Sequence, residues 1–172
     1  MFCSFGFQPD GVRTFAGTVT QPCPECKTGK TPAHHRTPYC NTSGLLLFTT
    51  DGDFSNYLTR PYNHIPKTYE VTLKTPVEET EQADYVSRTK QGVILPAEKK
   101  APEQKSAGAQ LEFLSPTLCQ ITLTEGKFHE IRRLFQALGN EVVELKRLSF
   151  GNYKLPQDLN PGEFRAIEKV LQ

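Results

Sequence analysis

The sequence predicts an α+β domain built on a mixed, mainly antiparallel sheet with flanking helices. Three observations carry that prediction. Two apolar runs, Leu111-Glu112-Phe113-Leu114 and Cys119-Gln120-Ile121-Thr122-Leu123, flank Ser115-Pro116-Thr117, which is a hairpin signal. Lys67-Thr68-Tyr69-Glu70-Val71-Thr72-Leu73 alternates as a strand with one face exposed. Phe128, Ile131, Leu134, Phe135 and Leu138 recur at helical spacing between strand-like runs. Strands joined by hairpins with helices inserted between them give the α+β class.

Bulk numbers narrow the options. With 172 residues the chain suits one domain, and 37% hydrophobic residues with 11 Phe and 6 Tyr suffice for a core. A net charge of +1 means that any contact with nucleic acid comes from a local basic patch. No apolar run reaches the ~18 residues of a membrane span. Met1 to Phe7 lacks a basic stretch followed by a long apolar one, which argues against a secretory signal. An odd count of five cysteines suits a reduced, cytosolic protein. Of these, Cys119 sits in a strand-like run as a small apolar residue.

Residues 1 to 41 form an irregular N-terminal segment without a sustained period of 2 or 3.6. Cys23-Pro24-Glu25-Cys26, followed by His34, His35 and Cys40, raises the option of a zinc site. Against it, the usual second pair of ligands across a short turn is missing. Thr42-Ser43-Gly44 then opens the apolar run Leu45-Leu46-Leu47-Phe48, a buried strand closing at Asp51-Gly52-Asp53. Phe54 to Leu58 reads as a short helix capped by Asp53 and stopped by Pro61. Pro76 to Arg88, with clustered glutamates, reads as a surface helix, and Ala97 to Gly108 as a loop. The helix after Gly126 ends at Gly139-Asn140, and Val142 to Phe150 and Glu163 to Ile167 are further strands.

Arg132 and Arg133 project from the start of that last helix. Two basic groups on a rigid element beside a turn suit an anion, either a buried carboxylate or a phosphate. An ordinary amphipathic helix with a solvated basic face is the alternative.

Three ordered motifs carry a resemblance. Thr42-Ser43-Gly44-Leu45-Leu46-Leu47-Phe48-Thr49-Thr50-Asp51-Gly52, Lys67-Thr68-Tyr69, and Glu125-Gly126-Lys127 through Arg132-Arg133-Leu134-Phe135 resemble the RsuA-type family of ribosomal RNA pseudouridine synthases. Val142 to Arg147 and Leu159 to Arg165 match its C-terminal pattern, and Phe2 to Gly17 gives a weaker echo. The resemblance implies an isomerase that detaches uracil from ribose, turns it and rejoins it through carbon. It implies ribosomal RNA as partner, a cytoplasmic location, no cofactor, no metal and no membrane. Residues 42–172 would be the catalytic domain, without the family's S4-type RNA-binding module. Tyr69 would lie against the extruded uracil, and Arg132 would pair with the catalytic carboxylate. Lys67, Lys127 and Arg133 would meet RNA phosphates.

One position departs from the pattern. The family's nucleophilic aspartate falls at Tyr39. A phenol of pKa about 10 stays protonated near neutral pH and does not replace a carboxylate. The resemblance therefore leaves two readings, a pseudouridine synthase and a catalytically inactive RNA-binding protein with the same fold. Codons for Arg36-Thr37-Pro38-Tyr39 can spell Gly-Arg-Leu-Asp in a shifted frame once a single G is restored, rejoining at Cys40. Residues from about Gly17 to Tyr39 are thus expected to be a frame-shifted reading of an active-site strand. The nucleotide sequence across this stretch tests that: codons unable to yield Gly-Arg-Leu-Asp after one base change rule it out.

Overall fold

The computed structural model describes residues 14–19, 42–98, 101–160 and 162–168, with only the backbone for the first of these ranges. Along the chain the elements are β1 (Thr14–Val19), β2 (Ser43–Thr49), α1 (Gly52–Thr59), a 3-10 turn (Pro61–Asn63), β3 (Lys67–Leu73) and α2 (Glu79–Gln91). There follow β4 (Ile94–Leu95), β5 (Gln104–Lys105), β6 (Gln110–Ser115), β7 (Leu118–Leu123), α3 (Glu130–Ala137), β8 (Val142–Phe150), β9 (Tyr153–Lys154) and β10 (Phe164–Ile167). Eight strands make one sheet in the order β10-β1-β2-β8-β3-β7-β6, with β9 beside β8, and β4 and β5 form a separate pair. Among the described strands the β2–β8 pair is parallel and the rest are antiparallel, as the α+β class requires. Among the described residues no helix is long and apolar enough to cross a membrane.

Two apolar clusters hold the sheet. The larger joins Val71 and Leu73 of β3, Cys119, Ile121 and Leu123 of β7, and Val142 and Leu145 of β8 to Ile131, Leu134, Phe135 and Leu138 on and just after α3. The smaller joins Leu45 of β2 to Phe54 and Leu58 of α1, Ile65, Phe150 and Tyr153. An eight-residue helix such as α1 is below the ~12 residues that persist alone in water, so burial of Phe54 and Leu58 keeps it folded. Its cap is Asp51, whose Oδ1 accepts from the Phe54 N–H at 2.9 Å, rather than Asp53 two residues later. The capping oxygen must sit just outside the helix, and Asp53 is already inside the first turn.

Other expectations shift by local chemistry. The glutamate-rich helix starts at Glu79, past Pro76, and runs to Gln91, with glutamates in its first turn and Arg88 and Lys90 in its last, as the helix dipole favours. The 97–108 stretch carries more order than a loop, since β5 pairs with β4 and Glu98 bridges Ala101. Between β2 and β10, β1 fills a place in the sheet that the aperiodic run 1–41 did not announce. Its pairing with β2 extends to Val19, two residues beyond the start of the suspected frame-shifted stretch. The Cys-His set considered for zinc lies outside the described residues, and among the described ones no group of three or more His, Cys, Asp or Glu could hold a metal. Cys119 is fully buried, and burial pushes its thiol up to about 12, which makes it inert packing.

The two halves of the sheet meet at Gly44. It sits beside Arg147 in the parallel β2–β8 pair with φ +93°, and a Cβ there would lie 2.3 Å from the Arg147 carbonyl oxygen. Only glycine tolerates both the left-handed backbone and that approach. Gly44→Ala is therefore expected to cost at least about 3 kcal/mol in urea unfolding, well above the ~1 kcal/mol of an average substitution. A loss below about 1 kcal/mol would show that the seam is looser than described.

Candidate active site

β3 and β8 carry the central row. Tyr69 lies opposite Arg147 on one side and Ile121 on the other, and Arg147 in turn lies beside Gly44. Between Thr68 and Tyr69 the register shifts: Thr68 pairs with Ser149 and Tyr69 with Arg147, which leaves Leu148 as the extra residue of a bulge. The bulge brings Arg147 and Phe150, three apart on β8, opposite Tyr69 and Lys67, two apart on β3. Both cations then stand over the Phe150 ring, Lys67 Nζ at 5.0 Å and the Arg147 guanidinium at 5.3 Å from its centre. Arg147 also donates from Nε to the Leu45 carbonyl at 2.8 Å, so its plane is set by the seam.

α3 covers the neighbouring part of the same face. Tyr69 borders the cluster that Val71 and Leu73 form with Ile131, Leu134 and Phe135, and the tyrosine itself is half-buried. The helix is closed at its C-terminus by Gly139 in the left-handed region: Asn140 N–H donates to the Phe135 carbonyl and Gly139 N–H to that of Gln136. At the N-terminus His129 is left-handed at φ +47°, its ring stacked on Phe128 and its Nδ1 2.7 Å from Glu98. Arg132 donates from Nη1 to the carbonyl of Val142, the first residue of β8, at 2.8 Å. Half-burial lowers the pKa of its guanidinium, opposed by the charge of Glu141. The described chain enters β2 at Thr42, with Ser43 beside Lys146 of that same β8. Tyr39 lies outside the described residues.

The three residues expected to meet phosphates are engaged inside the protein. Arg133 is 1% exposed and reaches four carbonyls: Pro96 from Nε at 2.8 Å, Phe128 from Nη1 at 3.2 Å, and Leu95 and Pro102 from Nη2 at 3.4 and 2.6 Å. Adjacent residues on a helix point about 100° apart, so one arginine of the pair can face outward while the next turns under the β4–β5 pair. Lys67 is buried and donates to the carbonyls of Ile65 at 2.9 Å and Thr124 at 3.5 Å. Burial and the Arg147 charge lower its pKa, against a smaller pull from Glu130. Lys127 donates to the Lys105 carbonyl at 2.6 Å and pairs with Glu125 at 2.7 Å. In this structure each of the three donates to backbone carbonyls and braces the Thr124–Glu130 turn against β3, β5 or the segment after β4.

Carboxylates complete that brace. Glu130 is buried and accepts from the Lys127 backbone N–H at 2.9 Å, while Glu125 accepts from Ala107 N–H at 2.9 Å. Burial raises the pKa of Glu130, and sharing a hydrogen bond with Glu125 raises it further. Arg147 is the residue that sequence reasoning passed over. Its signal was a basic residue in the interior of a strand, visible only once the register was known.

A profile of the RNA pseudouridylate synthase family matches residues 40–137. The chain is 41% identical over 127 residues to the ribosomal small subunit pseudouridine synthase A of Escherichia coli (strain K12), covering 74% of this chain and 52% of that protein. It is 39% identical over 137 residues to the protein of the same name in Haemophilus influenzae, covering 77% and 56%. The chain thus spans about half the length of these curated relatives. A solved pseudouridylate synthase superposes with a TM-score of 0.76 at 32% identity, over 92% of this chain and 71% of that one. A chain of a Cbf5-Nop10-Gar1 complex shares the fold, with a TM-score of 0.56 at 15% identity over 87% of this chain and 52% of that one.

Two measurements follow from the buried charges. Arg133→Met, which fills the space and leaves four carbonyls without their donor, is expected to lower stability by about 3 kcal/mol in urea unfolding. For Glu130 the folded pKa lies above the ordinary carboxyl value of 4.5. Ionising it in the folded state is therefore unfavourable, with no penalty below that ordinary value and the full penalty above the folded pKa. Glu130→Gln keeps the acceptor for Lys127 N–H and removes that penalty. Its Tm relative to wild type should rise as the pH is taken up from the ordinary carboxyl value of 4.5, and a flat difference would contradict the assignment.

Proposed function

The chain belongs to the RNA pseudouridylate synthase family, and from that footing we propose that it is built to isomerise uridine to pseudouridine in ribosomal RNA. Residues 42–172, with β1 added from the 1–41 segment, are the catalytic domain of this reading. A ribosomal RNA partner makes the cytoplasm its place of action. The observation that carries the proposal is the Gly44–Arg147–Tyr69 row, which lies in and beside the stretch that matches the family profile.

The reaction needs an ionised carboxylate at the sugar–base junction and a flat group against the extruded base. Tyr69 suits the second role, because it is half-buried at the border of the α3 cluster and pairs with Arg147 across the β3–β8 strands. A fixed phenol there can stack on uracil and take part in removing the proton from its carbon. Arg132 suits the orientation of the carboxylate, since its guanidinium lies half-buried at the first residue of β8, the strand on which β2 begins its pairing. A desolvated guanidinium beside a carboxylate holds the latter ionised and aimed. The braced turn Thr124–Glu130 sets the start of α3 and thereby the direction of Arg132.

Position 39 supplies the decisive test. The chain as written is expected to yield no pseudouridine when incubated with ribosomal RNA, because a protonated phenol is no nucleophile there. Tyr39→Asp should restore turnover, and adding Tyr69→Phe or Arg132→Met should lower it again by ~100-fold or more, scored by mass spectrometry of digested RNA. Equal product from the written chain and from Tyr39→Asp would overturn the role given to position 39. No product from Tyr39→Asp on RNA that it binds would overturn the activity itself.

A further inference from the structure

A second aromatic, outside the site above, is held ready on the surface. Tyr62 is 64% exposed, the largest value among the exposed large apolar side chains that the structure describes. It lies in the 3-10 turn between α1 and β3, seven residues ahead of Tyr69 in the chain. The Arg60 guanidinium stands 5.5 Å from the centre of its ring and donates from Nη1 to its hydroxyl at 3.0 Å. Nε of the same arginine donates to Asn56 Oδ1 at 2.5 Å, one turn back on α1. Two bonds and a ring contact thus fix a guanidinium and a phenol side by side in water.

The backbone beneath is fixed as well. Arg60 N–H closes α1 on the Asn56 carbonyl, Asn63 N–H donates to the Arg60 carbonyl and His64 N–H to that of Pro61. Asn63 Nδ2 reaches the Tyr57 carbonyl at 2.6 Å, and Gly151 N–H donates to Pro66 at 2.8 Å. Ile65 anchors the segment in the smaller apolar cluster. An exposed aromatic normally loses entropy when a ligand orders it; here that loss is already met by the fold.

We propose that Arg60 and Tyr62 form a stacking platform for an unpaired nucleotide of the RNA, a few positions from the uridine that enters the site. This rests on the function proposed above. An unpaired base offers a π-face to a phenol and to a guanidinium, whatever its identity, and the cation adds attraction for the phosphate that follows. Seven residues of chain span at most about 25 Å, so the platform and Tyr69 lie within reach of one short single strand. Extruding a uridine from its stack costs free energy, and a neighbouring nucleotide caught on a rigid platform offsets part of that loss.

The test is fluorescence anisotropy of the full chain with a labelled single-stranded RNA of about fifteen nucleotides carrying one central uridine. Tyr62→Ala is expected to weaken binding by about fivefold or more, the range of one base–aromatic stack, while Tyr62→Phe stays near wild type. Replacing flanking nucleotides one at a time by an abasic spacer should weaken wild type at one position and leave Tyr62→Ala unchanged there. Wild-type binding with an unaltered Tyr62→Ala affinity, or with equal abasic losses in both proteins, overturns the platform and leaves the proposed function standing. A wild-type chain that binds no RNA overturns the proposed function, and the platform with it.

Discussion

The contact between the Gly44 backbone and Arg147 is the constraint on which the rest of this molecule depends. On one side of it lie β10, β1 and β2; on the other lie β8, β3, β7 and β6. The parallel pairing across it is short, with Ser43 beside Lys146 and Gly44 beside Arg147. Arg147 adds a hydrogen bond to the Leu45 carbonyl, and Ser43 Oγ donates to that of Leu145. A side chain at position 44 would separate the strands, and with them Leu45 and Phe54 from Phe150 and Tyr153, their partners in the smaller cluster across the seam. The row that ends at Tyr69 exists because the backbones can approach this closely.

A second theme is the internal use of positive charge. Arg133, Lys67 and Lys127 donate to backbone carbonyls that their own segments leave over. Five planar donors suit Arg133 to a crowded set of carbonyls around the β4–β5 pair, where an ammonium would reach fewer. Lys67 ties the first residue of β3 to the end of β7 through the Thr124 carbonyl, with the Phe150 ring beneath its ammonium. These bonds remove freedom from the turn before α3. The helix then starts at a set angle, and Arg132, the half-buried neighbour of Arg133, inherits that angle.

The bulge at Leu148 has a matching role in β8. Without the extra residue, Arg147 and Phe150 would fall on opposite faces of the strand. With it, a cation and an aromatic ring line up against Tyr69 and Lys67. The cost is one interrupted pair in the middle of the sheet, offset by the bond from Leu155 N–H to the Leu148 carbonyl at 2.7 Å.

Sequence alone determined what depends on near neighbours. Alternation in Lys67–Leu73, the Ser115-Pro116-Thr117 hairpin, the apolar stripe of α3 and its glycine stop all follow from local periods and local backbone preferences, and they carried the fold class. Ordered motifs carried the family. Tertiary structure decided where each charge goes: two adjacent arginines are alike in sequence, yet one meets the strand start at Val142 and the other is sealed under four carbonyls. It also decided that Thr14–Val19 is a strand, because β1 draws its partners from β2 and β10, about 30 and 150 residues away in sequence, and not from its own pattern. Long-range pairing and the satisfaction of leftover carbonyls are properties of the assembled sheet, so no local reading of residues reaches them.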